Sequence, residues 1–192
     1  MIPEDIRAIE KSLQETNNVV ILGAGASVAT LNDLGLPPPS AMDNFIENAR
    51  LENILTGVHL HTSSNNLEDI YSELYDRPEY ETKRVELEEG IYRYMASFKL
   101  PTAKVSFYDL LFLCSRHDDC VATFNWDGLL FQAYYRVATW LETWGIRNPF
   151  RLLPIPVFLH GNVGAGICIE HHQLGENGRI CPLCEKPLDK TP

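Results

Sequence analysis

A chain of 192 residues is long enough for one globular core with a small satellite and too short for two full domains. Its hydrophobic share of 45% beside 22% charged residues excludes a disordered or fibrous chain. The formal net charge of -10, without a dense Lys/Arg run, would repel a phosphate backbone, so duplex nucleic acid is not an expected partner. No apolar stretch approaches bilayer length, and the start Met1-Ile2-Pro3-Glu4-Asp5 is acidic where a secretory signal would be basic. A cytoplasmic protein without membrane contact is expected.

In chain order, Ile6, Ile9 and Leu13 stand at helical spacing and predict an amphipathic helix over residues 3–15. Val19-Val20-Ile21-Leu22 is a short apolar run stopped by glycine, which predicts a first strand buried on both faces of a parallel sheet. Past Leu34-Gly35-Leu36-Pro37-Pro38-Pro39, the pair Ser40 and Asp43 resembles a capping box for a helix reaching about Leu55. Residues 57–66 read as loop, and residues 67–98 as two helices broken at Pro78 that form a cap or side layer. A helix over residues 106–114, a buried strand over 120–124, a long helix over 129–144 and a third strand over 155–159 follow, Pro156 marking a strand start or a sheet edge. The alternation predicts an α/β fold with a Rossmann-like, mostly parallel sheet flanked by helices.

Three polar motifs terminate these strands. Gly23-Ala24-Gly25-Ala26-Ser27 follows the first, where glycine lets the backbone approach a pyrophosphate met by N–H groups at a helix N-terminus. Val28 stands where a third glycine would be, and no acidic residue ends an obvious second strand, which disfavours a standard dehydrogenase. A glycine-rich turn can also bind nothing. Thr123-Phe124-Asn125-Trp126-Asp127 ends the second strand, with Asn and Asp able to orient a ribose hydroxyl or a water; Asp127 can equally cap the next helix. His160-Gly161 ends the third, where an imidazole can act as general base or simply as a structural histidine. In a parallel sheet all three motifs open on one crevice.

The 5 cysteines are an odd number without an export signal, so a disulfide framework is disfavoured. Cys168-Ile169-Glu170-His171 and Cys181-Pro182-Leu183-Cys184 are paired at metal-ligand spacing and predict a tetrahedral structural zinc held by Cys168, His171, Cys181 and Cys184, with His172 able to replace His171. The expected organisation is a main domain over 1–167, with its helical insertion at 67–98, and a zinc-ribbon-like module over 168–192.

Taken together these residues resemble the sirtuin-like family, including bacterial sirtuin-like domains: a Gly-Ala-Gly-x-Ser loop at Gly23 to Ser27, a Gly-x-Pro at Gly35-Leu36-Pro37, a Thr-x-Asn-x-Asp at Thr123, Asn125 and Asp127, and a His-Gly at His160-Gly161 with a first metal cysteine, Cys168, close behind. The resemblance implies an NAD site lined by Gly23, Ala24, Gly25, Ala26, Ser27, Thr123, Asn125 and Asp127. In it Asn125 positions the nicotinamide ribose or an attacking water, Asp127 supports it, and His160 is the general base. It implies cleavage of the nicotinamide–ribose bond, with water as acceptor in an NAD hydrolase or acyl-lysine in a protein deacylase; a non-catalytic NAD- or ADP-ribose-binding module is the alternative. Pro38-Pro39-Ser40 replaces the Asp-Phe-Arg of protein-deacylating members, which favours hydrolysis, and His171 stands where they have cysteine. Only residues 185–192 follow the last metal ligand, so the chain reads as C-terminally short for that family, leaving another chain or a second copy to complete the site.

Overall fold

The apolar run at Val19 forms β1 (Val19–Leu22), and β2 (Cys120–Thr123) and β3 (Pro156–Phe158) complete a 3-stranded sheet in the order β1-β2-β3. Every pairing is parallel: Val19 lies beside Cys120, Leu22 beside Thr123, and Thr123 beside Phe158. The computed structural model describes residues 17–190, so the helix predicted over residues 3–15 lies outside the described residues. The helices are α1 (Ala24–Asp33), α2 (Phe45–Asn48), α3 (Leu67–Tyr75), α4 (Glu81–Ala96), α5 (Phe107–Cys114) and α6 (Leu129–Thr143).

Consecutive parallel strands added in one direction through right-handed crossovers place all their connecting helices on the same face. One core accordingly joins Leu31 of α1, Tyr108 and Phe112 of α5, and Leu129, Ala133 and Val137 of α6 to Leu22, Val121 and Phe158 of the sheet. The alternate residues point the other way, and among the described residues that face is largely uncovered: Val19 is 68%, Ile21 65% and Val157 41% exposed, with only the small Ala122 between them buried. The expectation that β1 is buried on both faces is therefore wrong for these residues. An apolar run reports a strand's composition, whereas its covering depends on strand order.

The helical insertion has a core of its own, with Phe45, Leu67, Ile70, Leu74, Leu87 and Met95 buried together. Asn66 caps α3, its side chain accepting the Glu68 N–H at 2.9 Å, and Pro78 breaks the chain into a short 3-10 turn before α4, as the sequence predicts. The helix predicted from Ser40 to about Leu55 is instead a 3-10 turn, the short α2 and a second 3-10 turn. Arg50 adopts φ 57°, and the N–H groups of Arg50 and Leu51 reach back to Glu47 and Ile46, closing α2 and swinging Leu51 into the core. The Ser40 hydroxyl donates to the Ala41 carbonyl and caps nothing. Gly35 has φ 74° and ends α1 in the same way, with Leu36 N–H on the Leu31 carbonyl, so helix termination by itself accounts for that glycine.

Helix α5 starts with a full capping box, the Asp109 N–H donating to Ser106 Oγ and the Ser106 N–H to Asp109 Oδ2, and Arg136 of α6 clamps the buried Asp109 carboxylate. Beyond β3, the strands β4 (Ala165–Ile167), β5 (Leu174–Glu176) and β6 (Asp189–Lys190) form a small antiparallel sheet in the order β5-β4-β6. This sheet begins at Ala165, before the boundary expected at residue 168. Gly166 is required there, because a Cβ would sit 2.8 Å from the Asn177 Cα. No helix among the described residues is long and apolar enough to cross a membrane.

Candidate functional site

At the carboxyl end of β1 the chain turns at Gly23 directly into α1. Gly23, Ala24 and Gly25 are exposed, no side chain caps the helix, and no acidic residue lies in its first turn. The positive end of the helix dipole therefore faces solvent with unclaimed N–H groups, the arrangement that attracts an anion. A Cβ added at Gly23 or Gly25 would meet nothing within 4 Å, and neither residue has a positive φ. The fold itself has no steric need for these glycines. Gly23 is the N-cap, where glycine is favoured, but Gly25 lies inside α1, where glycine costs about 0.5–1 kcal/mol against alanine.

Beneath the turn lies a buried polar network. Ser27 Oγ donates to Asp127 Oδ2 at 2.7 Å, and Asn125 Nδ2 donates to the Gly23 carbonyl at 3.0 Å and to Ser27 Oγ at 2.9 Å. The Asn125 N–H is held by Thr123 Oγ1 at 3.0 Å. Loop and strand end are thus stitched together by residues about a hundred positions apart. The Gly23 oxygen can only accept, which fixes the amide with its nitrogen inward; Oδ1 has no partner among the described residues and is not buried. Asn125, 9% exposed, keeps that oxygen as an unclaimed acceptor beside the glycine turn.

The predicted site residues fall into two groups. Gly23, Ala24, Gly25, the half-buried Ala26, the buried Asn125 and His160 sit at the ends of β1, β2 and β3, and His160 is exposed with its ring 5.2 Å from that of Phe124 in an edge-on pair. Ser27, Thr123 and Asp127 are buried under them and act on Asn125 and the turn. Burial pushes the Asp127 carboxyl up from its ordinary value, opposed by the Ser27 hydroxyl and the Leu129 N–H. Asp127 Oδ1 accepts that Leu129 N–H at 3.1 Å at the start of α6, the structural role the sequence also offered for this residue.

Two residues that sequence reasoning missed complete the network. Tyr108 of α5 places its hydroxyl 2.8 Å from Ser27 Oγ. Asn162, buried directly after His160-Gly161, donates from Nδ2 to the Asp127 carbonyl and accepts the Gly164 N–H at 2.7 Å. A polar residue next to the His-Gly pair was the available signal for Asn162; for Tyr108 nothing local marks it. Two open clefts of about 570 and 580 Å³ lie against the helical insertion, lined by Asp43, Glu47 and Thr62 and by Pro38, Asn48 and Tyr94, away from the strand ends where the polar network lies.

The second cluster is the small sheet's. The ligand atoms of Cys168, His171, Cys181 and Cys184 all lie within 4.8 Å of one another and could hold a metal ion. Cys168 Sγ is 3.5 Å from His171 Nδ1 and 3.6 Å from Cys184 Sγ, and Cys181 Sγ is 3.9 Å from His171 Nδ1. Zinc–sulfur and zinc–nitrogen bonds of about 2.3 and 2.0 Å imply tetrahedron edges of about 3.5–3.8 Å, so the donor set fits zinc. The Leu183 N–H, joined by that of Cys184, pulls the Cys181 thiol down to about 7 against the effect of burial. His171 is the histidine of the set; His172 is exposed in a left-handed turn with φ 51°. Neither a protein-family model nor a curated protein matches the chain.

Proposed function

We propose that this chain binds NAD across the carboxyl ends of β1, β2 and β3 and cleaves its nicotinamide–ribose bond, as an NAD hydrolase of the sirtuin-like type with a Rossmann-like nucleotide site. The observation that carries this reading is the Asn125 side chain. Two donor bonds to the glycine turn fix its amide, and its free oxygen is turned outward beside an uncapped helix N-terminus. Gly23, Ala24 and Gly25 receive the pyrophosphate on backbone N–H groups and the helix dipole, while the Ala26 N–H closes the turn on the Gly23 carbonyl at 2.9 Å and Ser27 braces it from below. Asn125 orients the ribose hydroxyl or the attacking water through Oδ1, and Thr123 and Asp127 hold Asn125 in place.

Nicotinamide leaves with the bonding electron pair, and the ribose carbon it vacates develops positive charge. The carbonyl dipole of the Asn125 amide stabilises that charge more than it stabilises bound NAD. Water then adds at the same carbon and passes a proton to His160, giving ADP-ribose. Water is favoured over acyl-lysine as acceptor because Pro38-Pro39-Ser40 replaces the deacylase residues. The Cys168, His171, Cys181 and Cys184 set holds a structural zinc, whose closed four-ligand shell leaves no position for chemistry.

The test is nicotinamide release from NAD by the purified chain. Asn125→Ala is expected to lower the rate by about 100-fold or more while leaving the fold intact. Equal release from both proteins would overturn the assignment. Saturable stabilisation by NAD or ADP-ribose without turnover would instead assign a binding module, and acceleration by an acetyl-lysine peptide would assign a deacylase.

A further inference from the structure

Helix α5 reads Phe-Tyr-Asp-Leu-Leu-Phe-Leu-Cys, an apolar element whose Tyr108 is only 2% exposed. A buried phenol in such a helix ordinarily needs one partner. This one lies 2.8 Å from Ser27 Oγ and 3.4 Å from Asn125 Nδ2, at the junction of the network under the glycine turn. We propose that Tyr108 is a positioning residue of the candidate site: its hydroxyl directs the Ser27 proton to Asp127 and thereby locks the Asn125 amide with Oδ1 outward.

The proton count carries the argument. Ser27 has one hydroxyl proton and two lone pairs. Its proton goes to Asp127, and one lone pair takes the Asn125 amide. The remaining lone pair faces Tyr108, so the phenol is the donor in that bond. Were Ser27 to donate to Tyr108 instead, Asp127 Oδ2 would lose its only side-chain donor among the described residues. With Tyr108 donating, Ser27 is saturated. A flipped Asn125 amide would then set its oxygen against the Gly23 carbonyl and an oxygen with no proton to offer, so a flip has nowhere to bond. Burial holds the phenol well above its ordinary pKa, which keeps the donor protonated wherever the protein is folded.

The catalytic half of this proposal rests on the NAD-cleaving reading; the positional half does not, and the experiment separates them. In 15N-labelled protein the Tyr108 hydroxyl proton is expected as a slowly exchanging resonance with a nuclear Overhauser contact to the Asn125 side-chain amide. Its absence overturns the proposal without any variant. Tyr108→Phe is expected to accelerate exchange of the Asn125 side-chain protons by about 10-fold; an unchanged rate also overturns it. In turnover, Tyr108→Phe is expected to lower kcat about 10-fold with KM for NAD changed less than about twofold, and to add less than about twofold in a Ser27→Ala background, because paths that run through a shared partner do not add. Equal losses in both backgrounds overturn the route through Ser27. A wild-type chain that releases no nicotinamide sinks the NAD-cleaving reading, and the exchange measurements then decide Tyr108 alone.

Discussion

Ser27 on α1 and Asp127 beyond β2, 100 positions apart in sequence, share a 2.7 Å hydrogen bond beneath the glycine turn. The bond is buried and Asp127 is 4% exposed, and among the described residues its carboxylate is held by neutral donors alone.

That environment sets a pH dependence. The folded-state pKa of Asp127 is raised by burial, so below the unfolded value of about 3.8 the acid is neutral in both states and costs nothing. As pH rises through the folded value, the native state must ionise a buried acid and stability falls. Relative to Asp127→Asn, the wild type is therefore expected to be more stable at pH 4 than at pH 7.5, with the variant's own profile flatter through that window. Urea unfolding of both proteins at the two pH values checks this, and a gap that does not move with pH would count against it.

Gly25 should separate stability from binding. Because a Cβ there meets only open space and the backbone is helical, Gly25→Ala is expected to stabilise the chain by about 0.5 kcal/mol. The same methyl group fills the approach to the helix N-terminus, so affinity for NAD is expected to fall by about 10-fold or more. Thermal denaturation and calorimetric titration of one variant read both effects, and a loss of stability or an unchanged affinity would each contradict the account of this glycine.

Much of the strand-end site was legible because it depends on local pattern. Glycine after an apolar run, Asn and Asp after another, and His-Gly after a third mark strand termini wherever the sheet places them, and paired Cys/His spacing marks a metal loop without reference to the rest of the chain. What escaped depends on longer-range facts. Tyr108 reads as one more aromatic in an apolar helix until α5 is packed under α1, and nothing in Arg50 announces a left-handed residue that stops α2. His171 and His172 are adjacent imidazoles that only the backbone turn at His172 distinguishes. The one-sided sheet follows from strand order, which the apolar composition of β1 does not encode.

The metal cluster predicts its own dependence. The chain is expected to carry about one zinc equivalent by mass spectrometry, held by Cys168, His171, Cys181 and Cys184. A strong chelator should lower the melting temperature, because the small core here consists of Cys168, Cys181 and Leu188 with Cys184 against it and little else. Cys181→Ser should lower zinc content and melting temperature together. A fully folded, zinc-free preparation would refute the ligand set.

The two faces of the sheet should differ in their sensitivity to substitution. Ile21→Thr, on the bare face, is expected to change stability by less than about 0.5 kcal/mol, whereas Val121→Ala, at 0% exposure against the helices, should cost about 2 kcal/mol. Denaturant midpoints of the two variants give the comparison, and similar losses at both positions would show that the Ile21 face is covered.

The register of β1 also bears on the order of assembly. Pairing Val121 with Pro156 closes a loop of about 35 residues through α6, while pairing Val19 with Cys120 closes one of about a hundred, an added entropy cost of about 1 kcal/mol before any contact is made. The helical insertion inside that longer loop carries its own core and can condense first, shortening the distance to be closed. The β2-α6-β3 unit and the insertion are therefore expected to form first, with β1 docking later and bringing the glycine turn to Asn125. The nascent site and the edge of the sheet are completed by the same slow step, so refolding followed at Asn125 should lag refolding followed at α6.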